Sequence, residues 1–176
     1  MVTGVDSLYR AIRDVPDFPR PGIVFKDITP LLLDARAFRA ATDLMAGLYQ
    51  KAGVTHVVAI ESRGFLLGAP IAHHLGAGLV PMRKPGKLPA ERGRVEYQLE
   101  YGTDALEMHR DAVGPDDRVL IVDDVLATGG TAQAAGRLVR EHGAALVGYC
   151  FLIELGVLKG RERLGDARIE ALLHYA

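Results

Sequence analysis

Residues 119–131, VLIVDDVLATGGT, constrain this chain more than any other stretch. Val119 to Val122 form an unbroken apolar run, the pattern of a strand buried on both faces of a parallel sheet. Asp123 and Asp124 follow at once, so two carboxylates sit where such a strand leaves its sheet. Ala127, Thr128, Gly129, Gly130 and Thr131 come next, small residues that let backbone N–H groups close around an anion. A helical pattern starts near Thr131, with Ala135, Leu138 and Val139 on one face and a stop at Gly143. A Gly-rich turn feeding a helix cradles phosphate, because free N–H groups and the helix dipole point at it together. Beside paired acids it suits a sugar phosphate, with the turn on the phosphate and the acids accepting from sugar hydroxyls. A plain strand-turn-helix with acids at its mouth is the alternative. Apolar run, acid pair and Gly-Gly turn in one order favour a ligand site.

The remaining pattern alternates strands with helices. Val5, Leu8, Tyr9 and Ile12 share one face of a short N-terminal helix, which Pro16, Pro19 and Pro21 stop. Asp34 is a candidate N-cap for a helix whose stripe is Phe38, Ala41, Met45, Leu48, Tyr49 and Ala52, ended by Gly53. Strands are expected at 56–60, 78–82, 145–153 and 168–174, and helices at 65–75, 105–112 and 157–164. Strands joined to helices by short turns predict an α/β fold, a mostly parallel twisted sheet with helices on both faces. Ligands of such sheets lie beyond the C-terminal ends of the strands. Glu61, Ser62, Arg63 and Gly64 occupy one such end and the acid pair another, so a single cleft could hold both.

Between 83 and 94 the composition turns basic, with Arg83, Lys84, Lys87, Arg92 and Arg94 broken by prolines and glycines. Alone it reads as a solvated loop. Val95, Tyr97, Leu99 and Tyr101 then alternate with Glu96, Gln98 and Glu100, a half-exposed strand. Loop and strand together predict an arm able to fold over a site, its cations lacking obvious local partners.

At 176 residues and 49% apolar composition the chain is one well-cored domain, 1–176, with no linker to divide it. A net charge of −1 argues against general nucleic-acid binding. No run approaches a membrane span, and no N-terminal signal pattern precedes the fold. Cys150 is the sole cysteine, set in an apolar run, so no internal disulfide forms and a cytoplasmic setting is expected. No zinc-spaced cluster, nucleotide triphosphatase loop or kinase motif set is present. His73 and His74 are adjacent and point apart on a helix.

The 119–131 stretch resembles the phosphoribosyl-pyrophosphate signature of type I phosphoribosyltransferases. Three further stretches resemble the adenine phosphoribosyltransferases: FPRPGIVFKDITP at 18–30, ESRGF at 61–65, and RKPGKLP at 83–89 with LEYG at 99–102. The run 158–162, LKGRE, also matches. The resemblance covers almost the whole chain in order, with Lys26 where many relatives carry arginine.

That resemblance implies a type I phosphoribosyltransferase fold, with residues 1–33 as a hood over the base pocket and 83–101 as a mobile loop and strand. It implies conversion of adenine and 5-phosphoribosyl 1-pyrophosphate to AMP and pyrophosphate, a purine salvage step, in a homodimer. Asp123 and Asp124 would hold the ribose hydroxyls, and Ala127, Thr128, Gly129, Gly130 and Thr131 the 5′-phosphate. Glu61, Ser62, Arg63 and Gly64, with a cis peptide in their turn, would face the pyrophosphate together with Arg83, Lys84 and Lys87. Val24, Phe25, Lys26 and Val125 would line the adenine pocket, and Glu100 would exchange a proton with the purine ring. Magnesium (Mg2+) would arrive on the substrate's phosphates and ribose hydroxyls rather than on protein ligands. A transferase for hypoxanthine or xanthine, or a non-catalytic phosphoribosyl-pyrophosphate sensor, are the alternatives.

Overall fold

A computed structural model describes residues 4–98 and 102–176. The expectations placed on Leu99, Glu100 and Tyr101 lie outside the described residues. The N-terminal elements are α1 (Val5–Tyr9), β1 (Arg13–Pro16), β2 (Val24–Asp27) and α2 (Thr29–Leu33). Next come α3 (Ala35–Tyr49), β3 (His56–Ile60), α4 (Arg63–Leu75) and β4 (Gly78–Met82). A hairpin of β5 (Arg92–Gln98) and β6 (Thr103–His109) precedes β7 (Arg118–Leu126), α5 (Gly130–Glu141), β8 (Ala145–Leu155) and β9 (Ile169–Tyr175).

The central sheet is parallel throughout, in the order β4-β3-β7-β8-β9. Alternation along its strands splits the core in two. Val58, Ile60, Val119, Ile121, Tyr149 and Phe151 point to the face covered by α5 and the hairpin. Val57, Leu120, Val122, Cys150 and Leu152 point to the face covered by α3 and α4. Burial on both faces is why these strands read as continuous apolar runs. The predicted α3 is present, and Asp34 caps it by accepting from the N–H groups of Arg36 and Ala37 at 2.8 and 3.2 Å.

The expected helix at 105–112 is instead β6, paired antiparallel with β5 from Arg92↔His109 to Gln98↔Thr103. Ala105, Leu106, Glu107 and Met108 are good helix formers, but local propensity is a weak prior. Leu106 and Met108 enter the core two residues apart, and a bridge from Arg83 to Glu107 ties the hairpin to the end of β4. The expected helix at 157–164 is two 3-10 turns, Gly156–Leu158 and Gly160–Leu164, separated by Lys159 at φ 51°. The first helix stops at Tyr9 rather than Ile12.

Chain order sets the position of the cleft. From β3 the chain moves outward to β4, whereas from β7 it moves the opposite way through β8 to β9. The two halves therefore part at the C-terminal ends of β3 and β7, a crevice of the kind ligands occupy in open α/β sheets.

Candidate active site

The acid pair does not lie beyond the end of its strand, as expected, but inside it. β7 runs on to Leu126, paired with β8 through Val125↔Ile153 and Leu126↔Glu154. Its pairing with β3 ends at Ala59↔Val122. Asp123 and Asp124 are thus held by a neighbour strand on one side and open to the crevice on the other. That opening is filled from β3 by the 61–64 turn. Gly64 packs so closely that a Cβ there would lie 2.9 Å from the Val122 carbonyl oxygen and 3.0 Å from Asp123 Oδ1.

Electrostatics separates the two acids. Asp124 is almost fully buried and forms an ion pair with Arg63 Nε. Asp123 accepts from the Asp124 N–H at 2.9 Å. Burial first, and then the neighbouring Asp124 carboxylate, push the Asp123 carboxyl well above the usual carboxylate range. Arg63 also lies over the Phe25 ring, 5.2 Å from its centroid, which joins the N-terminal strands to the 61–64 turn. The Glu61–Ser62 peptide is cis, as expected, and α4 starts at Arg63 just behind it.

A cavity of about 370 Å³ opens over these groups. Of the sequence-predicted residues, Val24, Phe25, Lys26, Arg63, Asp123, Asp124, Val125 and Ala127 to Thr131 all line it. Glu61, Ser62, Gly64, Arg83, Lys84 and Lys87 do not; the first three form the neighbouring turn and the others belong to the loop after β4. The side chain of Lys26 is engaged elsewhere, on Asp14 at 2.7 Å and over the Tyr175 ring at 4.1 Å.

The sequence shows no obvious local partners for the cations of the loop, and the structure gives Arg83 and Lys84 partners from elsewhere in the chain. Arg83 Nε donates to Glu61 Oε2 at 3.1 Å, and the Lys84 N–H donates to the same oxygen at 3.0 Å. Burial raises the Glu61 pKa, but these two contacts outweigh it and the net shift is downward. Lys84 Nζ pairs with Asp104 and donates to the Tyr97 hydroxyl at 3.0 Å. Such partners sit far apart in sequence, on the 61–64 turn, β5 and β6, so no local pattern shows them.

Glu107 anchors the base of this loop. It is 3% exposed, accepts from the Gly86 N–H at 3.0 Å and forms an ion pair with Arg92 Nε at 3.1 Å. Glu107→Ala should cost about 1–3 kcal/mol in urea unfolding, because it removes the charge-assisted hydrogen bond from the Gly86 N–H and the ion pair with Arg92. Arg92→Ala should cost less than about 1 kcal/mol, since Arg92 is half-exposed. Equal losses would mean that the Gly86 contact contributes nothing.

Sequence reasoning missed several residues of the cavity. Ile23 and Leu158, both exposed apolar side chains, join Val24, Val125 and Leu155 as an apolar shelf facing the acids. It also missed the support of the Gly-rich turn. Gly129 has φ 80°, the left-handed region that glycine tolerates, and a Cβ on it would lie 2.4 Å from the Gly160 carbonyl oxygen. A Cβ on Gly160 would lie 2.2 Å from the Ala127 carbonyl oxygen. Arg161 fixes the Gly160 turn through both oxygens of Glu154, at 2.9 and 2.7 Å, and through the Ile169 carbonyl at 2.9 Å. The match at 158–162 was the one available signal, and it said nothing of this contact.

Residues 31–170 match the phosphoribosyl transferase domain family. An adenine phosphoribosyltransferase of Anaeromyxobacter dehalogenans is 58% identical over 171 residues, 97% of this chain and 99% of that protein. The crystal structure of adenine phosphoribosyltransferase from Thermoanaerobacter pseudethanolicus superposes with a TM-score of 0.95 at 49% identity, covering 98% of this chain and 100% of that one. That from Saccharomyces cerevisiae, complexed with an imino-altritol bisphosphate and adenine, gives 0.91 at 40% identity over 96% and 98% of the two chains. With the parallel sheet, the crevice between β3 and β7 and the Gly-rich turn already in place, likeness over nearly the full length assigns the chain to the adenine phosphoribosyltransferase family.

Proposed function

We infer that the chain transfers the phosphoribosyl group of 5-phosphoribosyl 1-pyrophosphate to adenine, giving AMP and pyrophosphate in purine salvage. One observation carries this reading: a single cavity joins a Gly-rich phosphate turn, two carboxylates and an apolar shelf. In the reaction the bond from the anomeric carbon to the diphosphate oxygen breaks, a bond to a ring nitrogen of adenine forms, and adenine gives up a ring proton. Positive charge grows on the ribose and negative charge on the departing diphosphate.

The residues divide along that separation. Ala127 to Thr131 bind the 5′-phosphate with N–H groups at the start of α5. Asp123 and Asp124 accept from the ribose hydroxyls and lie near its developing positive charge. Arg63, Arg83, Lys84 and Lys87 face the leaving diphosphate. Ile23, Val24, Phe25, Val125 and Leu158 sandwich the planar base, with the backbone rather than the side chain of Lys26 facing it. Glu100 is the candidate to exchange the purine proton. Residues 1–33 act as the hood of the base pocket, and 83–101 as the arm that closes and excludes water.

Among the described residues no group of three His, Cys, Asp or Glu side chains could hold a metal, and Asp124 is already paired with Arg63. That donor set suits magnesium carried in by substrate oxygens and water. When bound it would offset the charge of the diphosphate. A homodimer fits the exposed Leu66 of α4 and Leu79 of the edge strand β4. A cytoplasmic setting fits Cys150, buried and with its thiol pushed up to about 12 by that burial. No helix among the described residues is long and apolar enough to cross a membrane.

Adenine-dependent release of pyrophosphate, with AMP as the second product, tests the reading. Turnover should require magnesium and fall by at least ~10²-fold when hypoxanthine or xanthine replaces adenine. Equal turnover of all three bases would remove adenine as the substrate.

A further inference from the structure

Lys84 belongs to the basic loop, yet its ammonium does not line the cavity. Its backbone N–H is tied to Glu61 of the 61–64 turn at 3.0 Å. Its side chain runs the other way, to Asp104 on β6 and Tyr97 on β5. The Tyr97 hydroxyl lies 3.2 Å from the Asp104 carboxylate and 3.4 Å from the Thr131 hydroxyl of the phosphate turn. One lysine therefore links the 61–64 turn to the hairpin, and through Tyr97 to the phosphate turn, while its charge is held away from the crevice.

We propose that Asp104 is a positioning residue, an internal counter-ion that stores the Lys84 ammonium until the diphosphate of the phosphoribosyl donor displaces it. The proposal rests on the reading of Lys84 as a diphosphate ligand. A monovalent carboxylate can be outcompeted by a diphosphate, which carries more charge and more acceptor oxygens. The pair is partly solvated, its side chains 37% and 27% exposed, so the exchange does not strand a buried charge. Burial lowers the Lys84 pKa, but Asp104 and then Tyr97 outweigh it and keep the lysine protonated, ready for an anion. Asp104 accordingly lowers donor affinity, and its contact with Lys84 ties the hairpin to the loop when the site is empty.

Inorganic pyrophosphate, titrated calorimetrically into the full chain with magnesium, reads this directly. Asp104→Asn should bind it about 3–5-fold more tightly than the parent, the scale of a partly exposed ion pair. KM for the donor should fall by the same factor. Asp104→Glu should return to the parent value. Asp104→Ala, a second variant in case the amide misfolds, should gain at least as much as Asp104→Asn. In a Lys84→Ala background the Asp104→Asn gain should vanish, since no ammonium remains to release. Unchanged or weaker pyrophosphate binding in Asp104→Asn and Asp104→Ala overturns the proposal. So does a gain that survives in Lys84→Ala, which would be a general charge effect. If Lys84→Ala alone binds pyrophosphate as the parent does, Lys84 is no diphosphate ligand, and the functional reading fails at that residue while Asp104 variants stay silent. A parent chain that neither binds pyrophosphate nor makes AMP overturns both readings.

Discussion

Asp123→Asn combined with Asp124→Asn should reduce turnover by about 10³-fold or more while the melting temperature holds or rises. The two carboxylates share one crevice, and among the described residues Arg63 forms its ion pair with Asp124. On the proposed reading, removing both acids takes away the ribose contacts and the negative charge near the anomeric carbon. The structural cost is small, because Arg63 is 46% exposed and regains water when its partner goes. The stability gain comes from Asp123, whose carboxyl is held above the usual range first by burial and then by Asp124. The native state keeps that proton to higher pH than the unfolded chain does. Parent stability is therefore undiminished below the ordinary carboxylate range and falls as pH rises through the native titration point. The double variant carries no such proton, so its advantage should be absent near pH 4 and grow toward pH 8. Urea unfolding at both pH values, paired with turnover, checks the two halves separately. A double variant that turns over normally removes the acids from the mechanism; one that unfolds at every pH makes them structural.

Gly160→Ala should lower kcat/KM by about 10²-fold although Gly160 does not line the cavity. The added methyl would sit 2.2 Å from the Ala127 carbonyl oxygen and 3.0 Å from the Gly129 nitrogen. Both are backbone atoms, which cannot rotate away as a side chain would, so the phosphate turn itself must move. A displacement of about 1 Å would misaim the N–H groups proposed to hold the 5′-phosphate. The stability cost should be about 1–3 kcal/mol, the usual range for overpacking. Gly47→Ala is the control: it lies in α3 with nothing within 4 Å of an added Cβ, and should be silent in kinetics. Parental kcat/KM in Gly160→Ala would show that the turn tolerates the shift.

Much of the sheet was legible in the chain. Strands buried on both faces must be apolar at every position, so 56–60, 119–122 and 145–153 announce themselves. The phosphate turn is equally local, because glycines and a helix start must be consecutive to make a cradle. Where element type depends on a distant neighbour, local pattern fails. Residues 105–108 carry helix-forming side chains, and only pairing with 92–98 and the bridge to Arg83 make them a strand.

What the sequence by itself determined is the class of fold, the consecutive order of acid pair and Gly-rich turn that line one cavity, and through likeness the family. Each of these is written in residues adjacent in the chain, where one strand or one turn imposes its own spacing. Tertiary structure alone decided that the acids lie within β7, opened by the earlier end of its pairing with β3. It alone decided the counter-ions: Asp124 for Arg63, Glu61 for Arg83, Asp104 for Lys84. It alone brought Gly160 against Gly129. The physical reason is common to all three. Charge pairing and backbone contact act over a few ångströms in space, and residues 20 or 60 positions apart come that close only after the sheet has set its strand order.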